Sequence, residues 1–277
     1  MKTATDAMRA LLPVTLLFSQ GTWALIPATP GEQTRRAITS TRETISQIRS
    51  SSNLPPRIYI DYLIPLPPAT TDADIDPWPG GLAQMYPYAE EIVRDILTGV
   101  VEDSTREKCS SQVIGVDDCC GLFVQESPIS PDLDVAAVLF PGPDQYAKLK
   151  EIEDMVGSQR TLIVFNRQFT RPEDFGFFGK KEAKVFMDKY QWGFAFQEIA
   201  CRGEDVKLTF EQSLGWQACM VDEKGKEIEL EDSSWDKKAR PEYEALTNKI
   251  NEVMPEPLWM RMMQEASEKG LKFQRKE

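Results

Sequence analysis

The sequence predicts an α/β domain built on a single mixed sheet. A parallel strand–helix–strand core is followed by a C-terminal antiparallel meander, and helices cover the sheet. Three observations carry this. Residues 134–140 and 161–166 are near-continuous apolar runs, as strands covered on both faces should be, and an amphipathic segment long enough for a parallel crossover joins them. Residues 206–230 alternate apolar and polar side chains between turn-forming residues. Nothing from 54 to 277 has linker composition or repeats internally, so those residues read as one domain.

Residues 1–24 have the form of a secretory signal peptide. Lys2 and Arg9 give a positive start, 10–18 an apolar stretch too short to span a bilayer, and Thr22-Trp23-Ala24 a small-x-small cleavage site. Residues 25–53 look like an organelle transit segment, rich in Ser and Thr, with Arg35, Arg36, Arg42 and Arg49 against Glu32 and Glu43. The pair resembles the two-part presequence of plastids acquired by secondary endosymbiosis. It implies delivery to the plastid stroma or the stromal face of the thylakoid. Residues 1–53 carry a net charge of +3 and the remainder −15, a contrast that targeting predicts. On this reading residues 1–53 pack little against the body.

The body then reads in order. Residues 57–65 are β-branched and aromatic and form a strand ended by Pro65. A proline-rich loop closes on Gly80-Gly81. Leu82, Met85, Ala89, Ile92, Val93, Ile96 and Val100 follow on one helical face, with Gly99 as a stop. Residues 103–134 are irregular, with short strands at 113–116 and 122–124. After the 134–140 strand, Asp144 caps a helix that buries Tyr146, Leu149, Ile152 and Val156 and ends at Gly157. A helix over 180–190 buries Ala183, Phe186, Met187 and Tyr190. Three strand faces follow: Val206, Leu208 and Phe210; Trp216, Ala218 and Met220; Ile228 and Leu230. Helices over 241–253 and 257–269 end the chain.

Composition removes much chemistry. The chain has no histidine, which excludes a Ser-His-Asp triad, a Cys-His dyad and the His-based zinc and iron sites. A formal charge of −12 argues against a nucleic-acid partner. No apolar run reaches the length of a membrane span, which leaves peripheral association open. The five cysteines form no CxxC pair, so neither a metal nor a cofactor is expected. Cys201 and Cys219 read as core residues. Cys119 and Cys120 read as exposed beside Asp117 and Asp118, and pairing of Cys109 with either stays open. Asp72, Asp74 and Asp76 lack the other ligands of a calcium loop. No catalytic residue emerges.

Two candidate surfaces remain. Ligands of α/β sheets gather beyond the carboxyl ends of parallel strands. Pro141 and Gly142 should meet Asn166, Arg167 and Gln168 there, and the amides of Gly80 and Gly81 could add a phosphate cradle, although no GK[ST] or GxGxxG is present. Such a crevice would take a small ligand, a nucleotide or phosphometabolite. The plainer reading is that Phe175, Phe177 and Phe178 plug this end. The second surface is the stripe Leu258, Trp259, Met262, Met263 and Ala266, with Arg261, Lys269, Lys272, Arg275 and Lys276 nearby. Trp259, Met262 and Met263 suit a protein partner. The plainer reading docks the stripe on the sheet.

Trp78-Pro79-Gly80-Gly81, Val138-Leu139-Phe140-Pro141, the 162–169 segment, the Cys201-Arg202-Gly203 turn and the Trp216 strand together resemble the plant, algal and cyanobacterial domain of unknown function DUF1995. The resemblance covers about 55–232. Arg167 and Phe169 stand where that family usually has proline and tryptophan. The resemblance implies a plastid interaction factor. One plant member supports photosystem II accumulation at the thylakoid, and another carries the domain behind an adenylate kinase domain. It implies photosystem subunits or assembly factors as partners, and transfers no reaction and no catalytic residue.

Overall fold

The computed structural model describes residues 25–51, 54–67, 78–115, 119–222, 225–231 and 235–268, apart from the side chains of 265 and 268. The signal-peptide segment, the 72–76 acidic loop and the basic tail from Lys269 lie outside them. The strands are β1 (Arg57–Asp61), β2 (Cys109–Val113), β3 (Gly121–Gln125), β4 (Val135–Leu139), β5 (Thr161–Phe165), β6 (Gln191–Cys201), β7 (Glu204–Glu211), β8 (Gly215–Val221) and β9 (Glu227–Glu229). They form one sheet in the order β2-β3-β4-β5-β1-β6-β7-β8-β9. β1, β4, β5 and β6 are mutually parallel through the pairs β4–β5, β5–β1 and β1–β6. The hairpins on either side are antiparallel. This is the mixed α/β sheet that the apolar runs and the alternation imply.

Six α-helices among the described residues cover it: α1 (Pro30–Ser51), α2 (Gly81–Val100), α3 (Tyr146–Val156), α4 (Gly176–Met187), α5 (Tyr243–Val253) and α6 (Leu258–Glu268). On one face, α1 and α2 pack over Ile58, Ile60, Ile163, Phe165, Phe194 and Phe196. On the other, α3 and α4 pack over Tyr59, Leu162 and Val164, and α5 packs over Val206, Leu208 and Met220. Gly157, at φ 73, ends α3 as its sequence position suggests.

The expectation that residues 25–53 stand apart from the body is overturned. α1 is an integral helix. It buries Ala37, Ile45 and Ile48 together with Ser40, Thr41 and Thr44. The Ser and Thr content that mimics a transit segment has a packing reason. The helix lies close against β6, where Ser40 donates to the Gly193 carbonyl and accepts from the Gln212 amide at 2.8 Å. A Cβ on Gly193 would stand 2.6 Å from Ile58 and 3.1 Å from the Thr41 hydroxyl, so only glycine and short side chains fit that crossing. Two of the four arginines are engaged as well: Arg36 pairs with Glu211 and Arg49 reaches Thr161.

Other elements shift for local reasons. Gly99 lies inside α2, where a Cβ would collide with Ile38 of α1, so it marks a close helix crossing and not a stop. Asp144 sits in a 3-10 turn ahead of α3, and the α3 N-cap is Gln145. The strand expected at 113–116 lies earlier, as β2. β6, the longest strand, has no counterpart in the sequence reading. Its residues 193–196 are buried on both faces and it bulges at Gly193, which destroys the alternation. Cys120 is 2 % exposed, not on the surface, and burial first of all pushes its thiol up to about 12. Cys109 pairs with Gln125 while Cys120 adjoins Gly121, the far end of the same hairpin. Five residues of strand separate them, roughly 17 Å, too far for a disulfide.

Ile48 is 4 % exposed at the α1–sheet contact. Ile48→Ala should cost about 2–4 kcal/mol in urea unfolding, and deletion of residues 1–53 should abolish the cooperative transition. A dispensable leader would leave both measurements unchanged.

Candidate functional site

The site grows from the ends of three neighbouring parallel strands. α2 follows β1 on one face, whereas α3 and α4, after β4 and β5, lie on the other. Such a change of side is where α/β sheets open a crevice at the strand ends. Here Asp61 ends β1, Phe140-Pro141-Gly142 follows β4, Asn166-Arg167-Gln168 follows β5, and β6 runs on past them.

The expected neighbours meet, but their polar groups face one another. Phe140 and Asn166 both adopt left-handed backbone, at φ 53 and 48. That turn aims the Asn166 carboxamide back at β1. Its Oδ1 accepts from the Tyr62 amide at 2.6 Å and its Nδ2 donates to the Tyr62 carbonyl at 2.8 Å. The side chain thus extends the ladder by one residue beyond the strand. The Gln168 amide donates to the Pro141 carbonyl at 2.9 Å, and the Gln168 side chain donates to the Asn166 carbonyl at 2.7 Å. The Gly142 amide donates to Gln145 at 2.7 Å.

The glycine pair fares likewise. The Gly80 amide donates to the Gln84 side chain at 2.9 Å, and the Gly81 amide to the Trp78 carbonyl at 2.7 Å. The φ of +60 at Gly81 accounts for the glycine there. Neither amide is left to cradle a phosphate. Phe140, Phe165 and Phe169 are buried and fill the strand ends. Phe175 joins them against Phe169 at 4.9 Å between ring centres. Phe177 and Phe178 do not: they stand 91 % and 96 % exposed.

Arg167 is different. Its guanidinium lies 4.0 Å from the Tyr59 ring centre and 4.6 Å from that of Trp192, between two aromatic faces. It fills the seam between the α3–α4 layer and the α5 layer. Nε donates to the Phe169 carbonyl at 2.9 Å. Nη1 stands 3.8 Å from Asp61 Oδ1, and both atoms are buried without a hydrogen bond. Asp61 Oδ2 accepts from Gln197 Nε2, and Gln197 Oε1 accepts from Arg240 Nε at 2.9 Å. Burial pushes the Asp61 carboxyl above its ordinary value, with Arg167 and then Gln197 pulling it back. Burial likewise raises the Tyr59 and Tyr190 phenols. An unused donor and an unused acceptor 3.8 Å apart suit a group that both donates and accepts, such as an amide or hydroxyl. Neutral, buried phenols and a carboxylate tied to an arginine offer no activated nucleophile.

Sequence reasoning reached Arg167 but not Tyr59, Asp61, Trp192, Gln197 or Arg240. One signal was present: Asp61 is the single acid in the apolar run 57–65, two residues from Tyr59 and so on its face. The partner candidates Trp259, Met262 and Met263 lie on α6, far along the chain from this seam, and are 61 %, 60 % and 52 % exposed. Among the described residues no group of three or more His, Cys, Asp or Glu could hold a metal.

The family model of the domain of unknown function DUF1995 matches residues 27–248. The chain belongs to the DUF1995 family. The match begins at residue 27, ahead of α1, not near 55, and ends at 248, inside α5. The helix first read as a leader is therefore part of the DUF1995 domain. No curated protein matches the chain.

Two outcomes test the site's chemistry. Asp61 has a folded pKa above its ordinary 3.8. The folded state then holds the proton more tightly, so this group's contribution to stability is present below 3.8 and is lost as pH rises through the raised value. Removing Arg167 raises that value further. Arg167→Ala should cost about 3–5 kcal/mol near neutrality, by leaving a buried carboxylate without its cation, and less in acid. Thermal melts from acid to neutral pH read this, and Asp61→Asn should remove the acid-side component. At the neighbouring turn, Asn166→Ala should cost about 1–3 kcal/mol in urea. Asn166→Gly should be milder by about 1 kcal/mol, because glycine adopts the positive φ freely. A residue kept only to hold a ligand would leave stability unmoved in both.

Proposed function

We propose that this DUF1995 chain is a non-catalytic interaction factor of the plastid, working with protein partners at thylakoid complexes during photosystem assembly or accumulation. The observation that carries it is the mounting of α6. Arg261, a charged residue, faces the domain and grips Glu204 through two bonds of 3.0 Å. Glu204 is 6 % exposed. Arg202 holds the preceding loop through the Met254 and Pro255 carbonyls at 2.6 Å each. The helix is thus fastened through Arg261 and Leu258. Of the stripe, Leu258 is half-buried beside Gly203, whereas Trp259, Met262 and Met263 are exposed. Tryptophan and methionine in that position are the residue types that anchor protein interfaces.

Plastid location draws on the leader-like form of 1–24 and on the resemblance to plant, algal and cyanobacterial proteins. Residues 25–53 no longer add to it, since α1 belongs to the fold. Among the described residues no helix is long and apolar enough to cross a membrane. A second reading, a small polar ligand at the strand ends, rests on the unused Arg167 and Asp61 atoms.

Cross-linked capture from isolated thylakoids tests the proposal. The wild-type chain should recover subunits of a photosystem or its assembly complex. The triple variant Trp259→Ala, Met262→Ala, Met263→Ala should recover about tenfold less, with an unchanged melting point because these side chains are exposed. Equal recovery by both chains, or no thylakoid subunit with either, overturns it. Stabilisation by nucleotides or sugar phosphates that Arg167→Gln abolishes would favour the second reading.

A further inference from the structure

Phe177 and Phe178 open α4 and are the most exposed large apolar side chains among the described residues, with rings 5.5 Å apart and nearly perpendicular. Two adjacent phenylalanines in water have no structural use here, because Ala183 and Phe186 already make the helix's packing face. The outer face of α4 has its own composition. Lys181, Lys184 and Val185 follow Phe177 and Phe178 at three-, four- and seven-residue steps, which puts all five on one side. All are exposed, Val185 by 61 %.

The acidic groups near this face are paired, one of them with Lys184 of the face itself, which among the described residues leaves Lys181 as its unshared lysine. Glu182, at its edge, pairs with Lys150 at 3.4 Å, Glu173 with Lys180 at 2.6 Å, and Asp188, at the far end of the helix, with Lys184 at 2.8 Å. Asp174 turns inward to accept the Thr170 and Arg171 amides. Arg171, 74 % exposed on its side chain, stands beside the tip. The helix N-terminus adds its own partial positive charge. Residues 171–185 are therefore net positive, by one charge, in a chain of −12.

We propose that the α4 tip is an interfacial anchor that inserts Phe177 and Phe178 into a bilayer surface carrying anionic lipid headgroups. Protruding aromatics flanked by lysines fit the headgroup–acyl boundary, where rings bury and ammonium groups meet phosphate. A protein interface fits less well. Its core depletes lysine, and its aromatic anchors enter pockets on the partner. The overall negative charge does not forbid the contact, since at physiological salt charges beyond roughly 8 Å are largely screened.

The inference stands apart from the protein-partner reading of α6, and lipid vesicles without protein separate the two. In flotation with the full chain, phosphatidylcholine vesicles containing phosphatidylglycerol should carry the wild type up, and pure phosphatidylcholine vesicles much less. Phe177→Ser with Phe178→Ser should lower the floated fraction about tenfold, with an unchanged melting point. Lys181→Glu with Lys184→Glu should erase the preference for phosphatidylglycerol. Three results overturn the proposal: no flotation of the wild type, flotation indifferent to the phenylalanines, or flotation lost only in the Trp259, Met262 and Met263 variant.

Discussion

Everything in this fold hangs on the pairing of β1 with β5 on one side and β6 on the other. Among the described residues those two parallel ladders alone join the β2–β5 half of the sheet to the β6–β9 half. β1 is five residues long, so each half is attached through a handful of hydrogen bonds. The compensation is burial. Ile58 and Ile60 are fully covered by α1 and α2, and Tyr59 is covered from the other side. A strand sealed on both faces leaves its amides no water to turn to, so breaking a ladder bond costs the full desolvation of both groups. That is why α1 is indispensable. It lies over Ile58 and β6 through short side chains that let it approach Gly193.

Two buried arginines mark the two ends of this seam and solve opposite problems. Arg57, at the amino end of β1, is 4 % exposed and fully engaged. It pairs with Glu153 at 3.1 Å and donates to the Pro56, Gly157 and Arg160 carbonyls. It ties β1 to the end of α3. Arg167, at the carboxyl end, binds Phe169 and lies on two rings, but its meeting with Asp61 is long and leaves polar atoms on both sides unused. A structural arginine looks like the first. The second leaves Nη1 and Asp61 Oδ1 unsatisfied, and on those two atoms the small-ligand reading rests.

The contrast explains what could be read in the sequence. β4, α3 and β5 were legible because burial on both faces writes continuous apolar runs, and because Gly157 stops the helix with a positive φ that its neighbours resist. β7 and β8 were legible through alternation. β6 was not: its buried residues 193–196, its bulge and its exposed hairpin end superimpose three patterns in eleven residues. α1 was misread for a sharper reason. Arginines with serines and threonines describe a transit segment, and they equally describe a helix that packs closely on a sheet and pairs its basic edge with an acidic body, as Arg36 does with Glu211. Composition cannot separate these; only the partner surface can. At the strand ends the meeting of Pro141, Asn166 and Gln168 followed from topology. Whether their polar groups faced outward or each other depended on φ at Phe140 and Asn166, which residue identity does not dictate.

The topology also gives the molecule a direction. α4 starts from the carboxyl end of β5. α6 packs beside Gly203, in the β6–β7 turn, which lies beyond the level of Asp61 because Ala195 is already opposite it. Both exposed apolar surfaces, Phe177 with Phe178 and Trp259 with Met262 and Met263, therefore belong to the same end of the parallel sheet. The opposite end is tied down by Arg57 and its carbonyls. Among the described residues, Phe140, Phe165 and Phe169 and the Asn166 side chain fill the carboxyl ends of these strands, and exposed apolar side chains stand on the flanking helices. A bilayer touched by the α4 tip would leave α6 alongside, placed to receive a protein at the membrane surface.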